Sequence, residues 1–133
     1  MKETYIKIAV FPVDAAPYMT TIESTLDAQQ KVVEGLIQPF RTRIKGVTGI
    51  CNEEAINFNM PFNPCSIWFG QPICGPFFLC REEFGSEGIE HASLNDDQAR
   101  IIELSPAWPG SNSTPDVYDL DLDDLDLTGD PWG

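Results

Sequence analysis

Residues 5–11, Tyr5-Ile6-Lys7-Ile8-Ala9-Val10-Phe11, anchor the reading of the chain. Ile6, Ile8 and Val10 share one face and Lys7 lies on the other, and β-branched and aromatic side chains dominate, so the segment reads as a central strand. Pro12 and residues 14–17 supply a turn, after which residues 18–22 return as a second strand. Ser24 or Thr25 then caps a helix over residues 25–34, with Asp27 and Glu34 on it. Leu26, Val33 and Ile37 form its apolar stripe, and Gly35 falls where a helix C-terminus takes a left-handed residue.

Residues 36–40 and 44–51 read as extended, with Arg41, Arg43 and Lys45 alternating between them. That spacing puts three of the eight bases on one side. Two roles fit: charge protection of a solvated edge strand, or a small anionic-ligand site. Residues 47–51 and 56–60 flank Asn52-Glu53-Glu54-Ala55 and read as a β-hairpin. Between Phe58 and Phe84 the chain places seven of its fourteen aromatics together with Pro61, Pro64, Pro72 and Pro76. Much of this is core, and the prolines predict an irregular aromatic-lined loop over residues 61–72. Residues 73–80 read as one apolar strand, 82–90 as a polar connection, and Ser93 or Asn95 as the cap of a second helix through Leu104. Pro106 ends that helix. The expected fold is α+β, a small, mostly antiparallel β-sheet of about five strands with two amphipathic helices, followed by an extended acidic C-terminal tail.

Charge divides the chain. Its 133 residues carry 21 acids and 8 bases, a net of −13. Residues 1–104 hold 14 acids and all 8 bases, whereas residues 105–133 hold 7 aspartates and no base. This predicts a compact domain over 1–104, a Pro/Gly/Ser linker over 105–115 and an acidic Asp/Leu tail over 116–133. A chain of this sign repels a nucleic-acid backbone, which argues against direct DNA or RNA binding. No apolar run approaches the roughly 18 residues of a spanning helix, and the start lacks a secretory layout. These features predict a soluble protein of the cytoplasm with no membrane contact.

The four cysteines, Cys51, Cys65, Cys74 and Cys80, lack the two-residue gap of zinc knuckles and redox pairs. They read as structural thiols, with no metal and no cofactor expected. If Cys74 and Cys80 share a strand, their Cα atoms stand about 20 Å apart and cannot bond. His91 is the single histidine, no nucleophile–base arrangement can be drawn around it, and the adjacent Glu53 and Glu54 on an exposed turn project in different directions. No catalytic residue is assigned, and the expectation is a protein that is not an enzyme.

Several pieces occur in a familiar order: Thr25-Leu26-Asp27-Ala28-Gln29 with Val33-Glu34-Gly35, Ile50-Cys51-Asn52-Glu53-Glu54, Met60-Pro61-Phe62-Asn63, Gly75 with Phe77-Phe78, and Ser93-Leu94-Asn95-Asp96-Asp97-Gln98. Over residues 5–104 the chain resembles a family of small phage, plasmid and integrated-element proteins known as domain of unknown function 3846. It departs from that pattern at Ala55, where the family has Gly, and at Pro76, where the family has a residue bearing an amide. The resemblance implies a small αβ fold and a mobile-element setting, and transfers no catalytic residues.

The leading expectation is an inhibitor of bacterial defence, anti-CRISPR or anti-restriction, that occludes the basic nucleic-acid channel of a host nuclease or effector complex. Asp119, Asp121, Asp123, Asp124 and Asp126 then act as phosphate surrogates in a DNA mimic, with Leu120, Leu122 and Leu125 as apolar anchors. A second reading is a sponge for a nucleotide-derived immune signal, with Phe62, Trp68 and Phe69 stacking a base and Arg41, Arg43 and Lys45 meeting phosphates. A third is a protein-interaction module whose tail folds on a partner. The aromatic surface and an edge strand at residues 41–45 leave a homodimer open.

Overall fold

A computed structural model describes residues 4–85 and 88–109 of the chain. Strand β1 (Tyr5–Phe11) pairs antiparallel with β2 (Tyr18–Glu23), Val10 opposite Tyr18 and Tyr5 opposite Glu23. Thr25 caps helix α1 (Leu26–Val33), its hydroxyl accepting the Ala28 amide at 3.1 Å. The left-handed residue that ends the helix is Glu34 (φ 65°), one position before the expected Gly35. Asn52 offsets that strain, its Nδ2 donating to the carbonyls of Val33 (3.0 Å) and Glu34 (3.2 Å). Leu26, placed on the apolar stripe by its spacing, is exposed; Gln29 and Val33 are the buried residues of the helix.

Strand β3 (Ile37–Arg41) turns through residues 42–46 into β4 (Val47–Asn52), with Phe40 opposite Gly49. The hairpin expected between residues 47–51 and 56–60 does not form. Both edges of β4 are taken, one by β3 and the other by a later strand, so the chain leaves through turns after Asn52. Asn52 Oδ1 accepts the Glu54 amide at 2.7 Å and fixes the first of them. The aromatic stretch is more regular than its prolines suggested: β5 (Phe62–Asn63), a short helix α2 (Cys65–Trp68) and β6 (Ile73–Cys74), with β5 and β6 paired. Buried Asn63 staples it, donating to Phe11 O (2.9 Å) and Gly75 O (3.1 Å) and accepting the Cys65 amide (3.2 Å).

Residues 73–80 are not one strand. Gly75 has φ +81° and Pro76 lacks an amide proton, so the chain bends between β6 and β7 (Phe77–Gly85). Cys74 and Cys80 therefore lie on different strands, and all four cysteines are free thiols. The polar connection expected over 82–90 is instead the far half of β7 and its partner β8 (Gly88–Ala92), with Arg81 opposite Ala92 and Phe84 opposite Ile89. Helix α3 (Asp96–Glu103) starts at Asn95, where a capping box with Gln98 satisfies both end amides.

The main sheet runs β2-β1-β7-β4-β3 with β8 beside β7, six antiparallel strands where about five were expected, and the described part carries three helices. The fold is α+β. The pleat sorts β1: Ile6, Ile8 and Val10 pack with Val33 of α1, while Ala9 and Phe11 pack with Phe69, Leu94 and Ile102 on the other face. Packing continues past Leu104. Ser105 is buried, its hydroxyl donating to Ile102 O at 2.7 Å, and Trp108 stands edge-on to Phe11 at 5.9 Å. The rest of the expected linker, 110–115, and the acidic tail, 116–133, lie outside the described residues. No helix among the described residues is long and apolar enough to cross a membrane.

Candidate functional site

The strip of bases read from the sequence sits on the turn between β3 and β4. Along residues 41–45 exposure alternates: Thr42 and Ile44 are buried, whereas Arg41 and Lys45 are exposed and Arg43 is half-buried. Thr42 explains why the turn holds this shape. Its hydroxyl donates to Val47 O at 2.7 Å and accepts the Ile44 amide at 3.2 Å. The rest of the turn is tied from outside: the Arg43 amide donates to Phe69 O (3.3 Å), the Glu82 amide to Gly46 O (2.8 Å), and Gln98 Nε2 to Lys45 O (3.4 Å). A cleft of about 640 Å³ opens there, lined by Phe40, Arg41, Arg43, Lys45, Val47 and Glu82 among others. The Arg43 guanidinium lies over the Trp68 indole, 5.8 Å from its ring centroid. Its Nε is buried without a hydrogen-bond partner, so the aromatic face rather than an acceptor orients it.

Of the six residues expected to form a nucleotide-stacking site, the structure brings together four, Arg41, Arg43, Lys45 and Trp68. Phe69 is fully buried in the core and has no free face for a base; its carbonyl instead supports the basic turn from within. Phe62 sits on β5 opposite Cys74, half exposed, and is not among the residues that line the cleft. The tail residues Asp119, Leu120, Asp121, Leu122, Asp123, Asp124, Leu125 and Asp126 lie outside the described residues.

A second feature was missed in the sequence. The far halves of β7 and β8 form a hairpin whose outer rungs pair Phe84 with Ile89 and Glu83 with Glu90. Phe84 is 79% exposed and Ile89 58%. Facing carboxylates and uncovered apolar side chains both cost stability in the free protein. Glu83 has one compensating partner, Arg81, at 3.6 Å. The signal was present, since Phe84-Gly85 and Gly88-Ile89 place apolar residues either side of a glycine-bounded turn.

Burial or hydrogen bonding engages Cys51, Cys65, Cys80 and His91. Burial pushes the Cys80 thiol up to about 12, with the Glu82 carboxylate adding to the rise, and pushes Cys51 up to about 11; Cys65 is raised by burial as well. His91 Nδ1 lies 2.9 Å from Gln29 Oε1, a hydrogen bond that ties β8 to α1. Burial lowers the His91 pKa against the opposing pull of Glu82. Among the described residues no three His, Cys, Asp or Glu side chains gather into a metal-holding group.

The family model Domain of unknown function (DUF3846) matches residues 6–105, and the chain belongs to that family. A search of curated proteins gives no match. Among solved structures, the chain is similar to one described as the crystal structure of small RNA methyltransferase HEN1, at a TM-score of 0.52 and 13% identity over 74% of this chain. It spans 16% of that protein's length, and at this identity the likeness concerns the fold alone.

Proposed function

We propose that this chain is a non-catalytic binding protein that covers a basic, nucleic-acid-binding surface of another protein, serving a phage or other mobile element as an inhibitor of a host defence nuclease. The β7–β8 hairpin carries the reading. One face of the ribbon exposes the cross-strand pair Phe84–Ile89, and the next rung sets Glu83 beside Glu90 on the other face. An uncovered apolar pair on an acidic ribbon suits protein binding, in which buried aromatic anchors supply affinity and charge supplies steering. The seven aspartates among residues 105–133 add a larger negative field, and the resemblance to mobile-element proteins supplies the setting. Burial of the Cys51 and Cys80 thiols and the hydrogen bond of His91 favour a non-catalytic role.

The test is a phage-restriction or CRISPR interference assay in a bacterial host expressing the full chain. Wild type is expected to relieve interference and to co-purify with a basic nuclease subunit. Phe84→Thr/Ile89→Thr is expected to reduce relief by about tenfold or more, since two central anchors are lost, with little change in melting temperature. Changing Asp119, Asp121, Asp123, Asp124 and Asp126 to Asn separates the tail from the hairpin. Full relief by the hairpin variant would remove the hairpin as the contact surface, and an inactive wild type across the systems tried would remove the function.

A further inference from the structure

We propose that the β3–β4 turn is a binding site for a small phosphorylated ligand of nucleoside-polyphosphate size, held by Arg41, Arg43 and Lys45. This does not rest on the hairpin reading, and it can fail or stand separately.

The simpler account of these bases, edge protection, fits the geometry poorly. β3 is an edge strand, but Pro39 already removes an amide from it, and of the three cations only Arg41 belongs to the strand. Arg43 and Lys45 lie on the turn beyond it. The turn is also held firmly for an exposed loop: Thr42 ties it internally, and Phe69, Gln98 and Glu82 tie it from three other parts of the fold. A solvated charge cluster needs none of this.

Charge and shape then select the ligand. Among the described residues no carboxylate comes within ion-pair distance of Arg41, Arg43 or Lys45. Three like charges within five residues of one turn repel one another, and a ligand with several anionic groups relieves that repulsion where a monocarboxylate meets one cation at a time. Glu82 lines the same cleft and opposes the ligand, but one acid against three bases leaves the cleft positive. Arg43 contributes most: it is half-buried and its plane is fixed on Trp68, so its fork is set before a phosphate arrives. The cleft, at about 640 Å³, is of nucleotide size and has Pro39, Phe40 and Val47 along its wall to meet an apolar ring.

The experiment uses the full chain labelled with nitrogen-15 and follows the amides of residues 42–46 and the Trp68 indole during titration. Probes are inorganic tripolyphosphate, ATP and adenosine. Saturable shifts with tripolyphosphate and ATP, and none with adenosine, are expected. ATP binding tighter than tripolyphosphate marks a nucleotide site, and equal binding marks a site for the phosphate chain alone. Arg43→Gln is expected to weaken binding about tenfold, the loss of one charge-assisted contact of about 1.4 kcal/mol. Lys45→Gln, at an exposed position, is expected to weaken it severalfold and keeps the test valid should Arg43→Gln not fold. Lys31→Gln on α1, whose ion pair with Asp27 is exposed, serves as the unchanged control. Absence of saturation up to about 5 mM, above a millimolar Kd, overturns the proposal. So do equal affinities for wild type and both cleft variants, or ligand-free spectra in which changing the tail aspartates to Asn shifts the same amides, which would make the chain's own tail the occupant.

Discussion

The β3–β4 and β7–β8 hairpins belong to one sheet yet are built on opposite terms. The first turns its small polar residue inward, uses Thr42 to bind its own backbone, and leaves three cations on its rim. The second runs beyond the strands that cover its root, faces Glu83 against Glu90, and leaves Phe84 and Ile89 in solvent. Glu82 stands where they meet, lining the basic cleft and pairing across the strands with His91. The contrast separates two ways of making a binding surface. A turn fixed by buried hydrogen bonds can present rigid charge, whereas a projecting ribbon can present apolar area that the fold itself does not cover.

The same substitution placed in each hairpin tests this difference most strongly. A methyl group at Gly49 overlaps the Phe40 ring, which packs edge-on against Phe77 at 5.6 Å and has little room to yield. A methyl group at Gly85 overlaps only the Glu90 carboxylate, the free end of a flexible side chain. Gly49→Ala is therefore expected to cost about 2–3 kcal/mol in urea unfolding, and Gly85→Ala less than about 0.5 kcal/mol. Equal costs would mean that the two ribbons are equally constrained, and the contrast would collapse.

Thr42→Val sharpens the comparison within the basic turn. It keeps the volume but removes the hydroxyl, so the Ile44 amide and Val47 carbonyl lose a buried partner. A loss of about 1–3 kcal/mol is expected. The 42–46 amides should also exchange faster with solvent while the β7–β8 amides keep their rates. Uniform loosening of both hairpins would show that Thr42 supports the whole sheet rather than the turn.

What the sequence disclosed follows from the range of the interactions involved. The caps at Thr25 and Asn95 and the alternation of Ile6, Ile8 and Val10 are local, so residue type and spacing picked out the alternation and narrowed each cap to two nearby candidates. The turn after Asn52 was misread because residues 56–60 do alternate. What denied them a place beside β4 was β7, which arrives from later in the chain. The basic strip was legible as a spacing, but the Trp68 ring beneath Arg43 was not, since α2 is a four-residue helix with no periodicity to detect. The acidic hairpin was hidden by its composition: glutamates at 82, 83 and 90 made an extended ribbon look like a loop.

The smallest expected effect lies at the hairpin root, where pH should act through His91. Its imidazole bonds to Gln29 on α1, and burial lowers its pKa below the ordinary 6.5 while the Glu82 carboxylate pulls the other way. Between the lowered value and 6.5 the unfolded chain binds more protons than the folded one, so stability rises with pH across that window. The contribution is present above pH 6.5 and is lost as the pH falls toward the folded-state value. Melting temperatures of wild type and His91→Asn should therefore converge between pH 7.5 and 5.5, as acid costs the wild type more than the variant. A constant difference across that range would mean that His91 keeps the same affinity for its proton on folding. The link between α1 and the acidic hairpin would then be a matter of packing alone, with no electrostatic part.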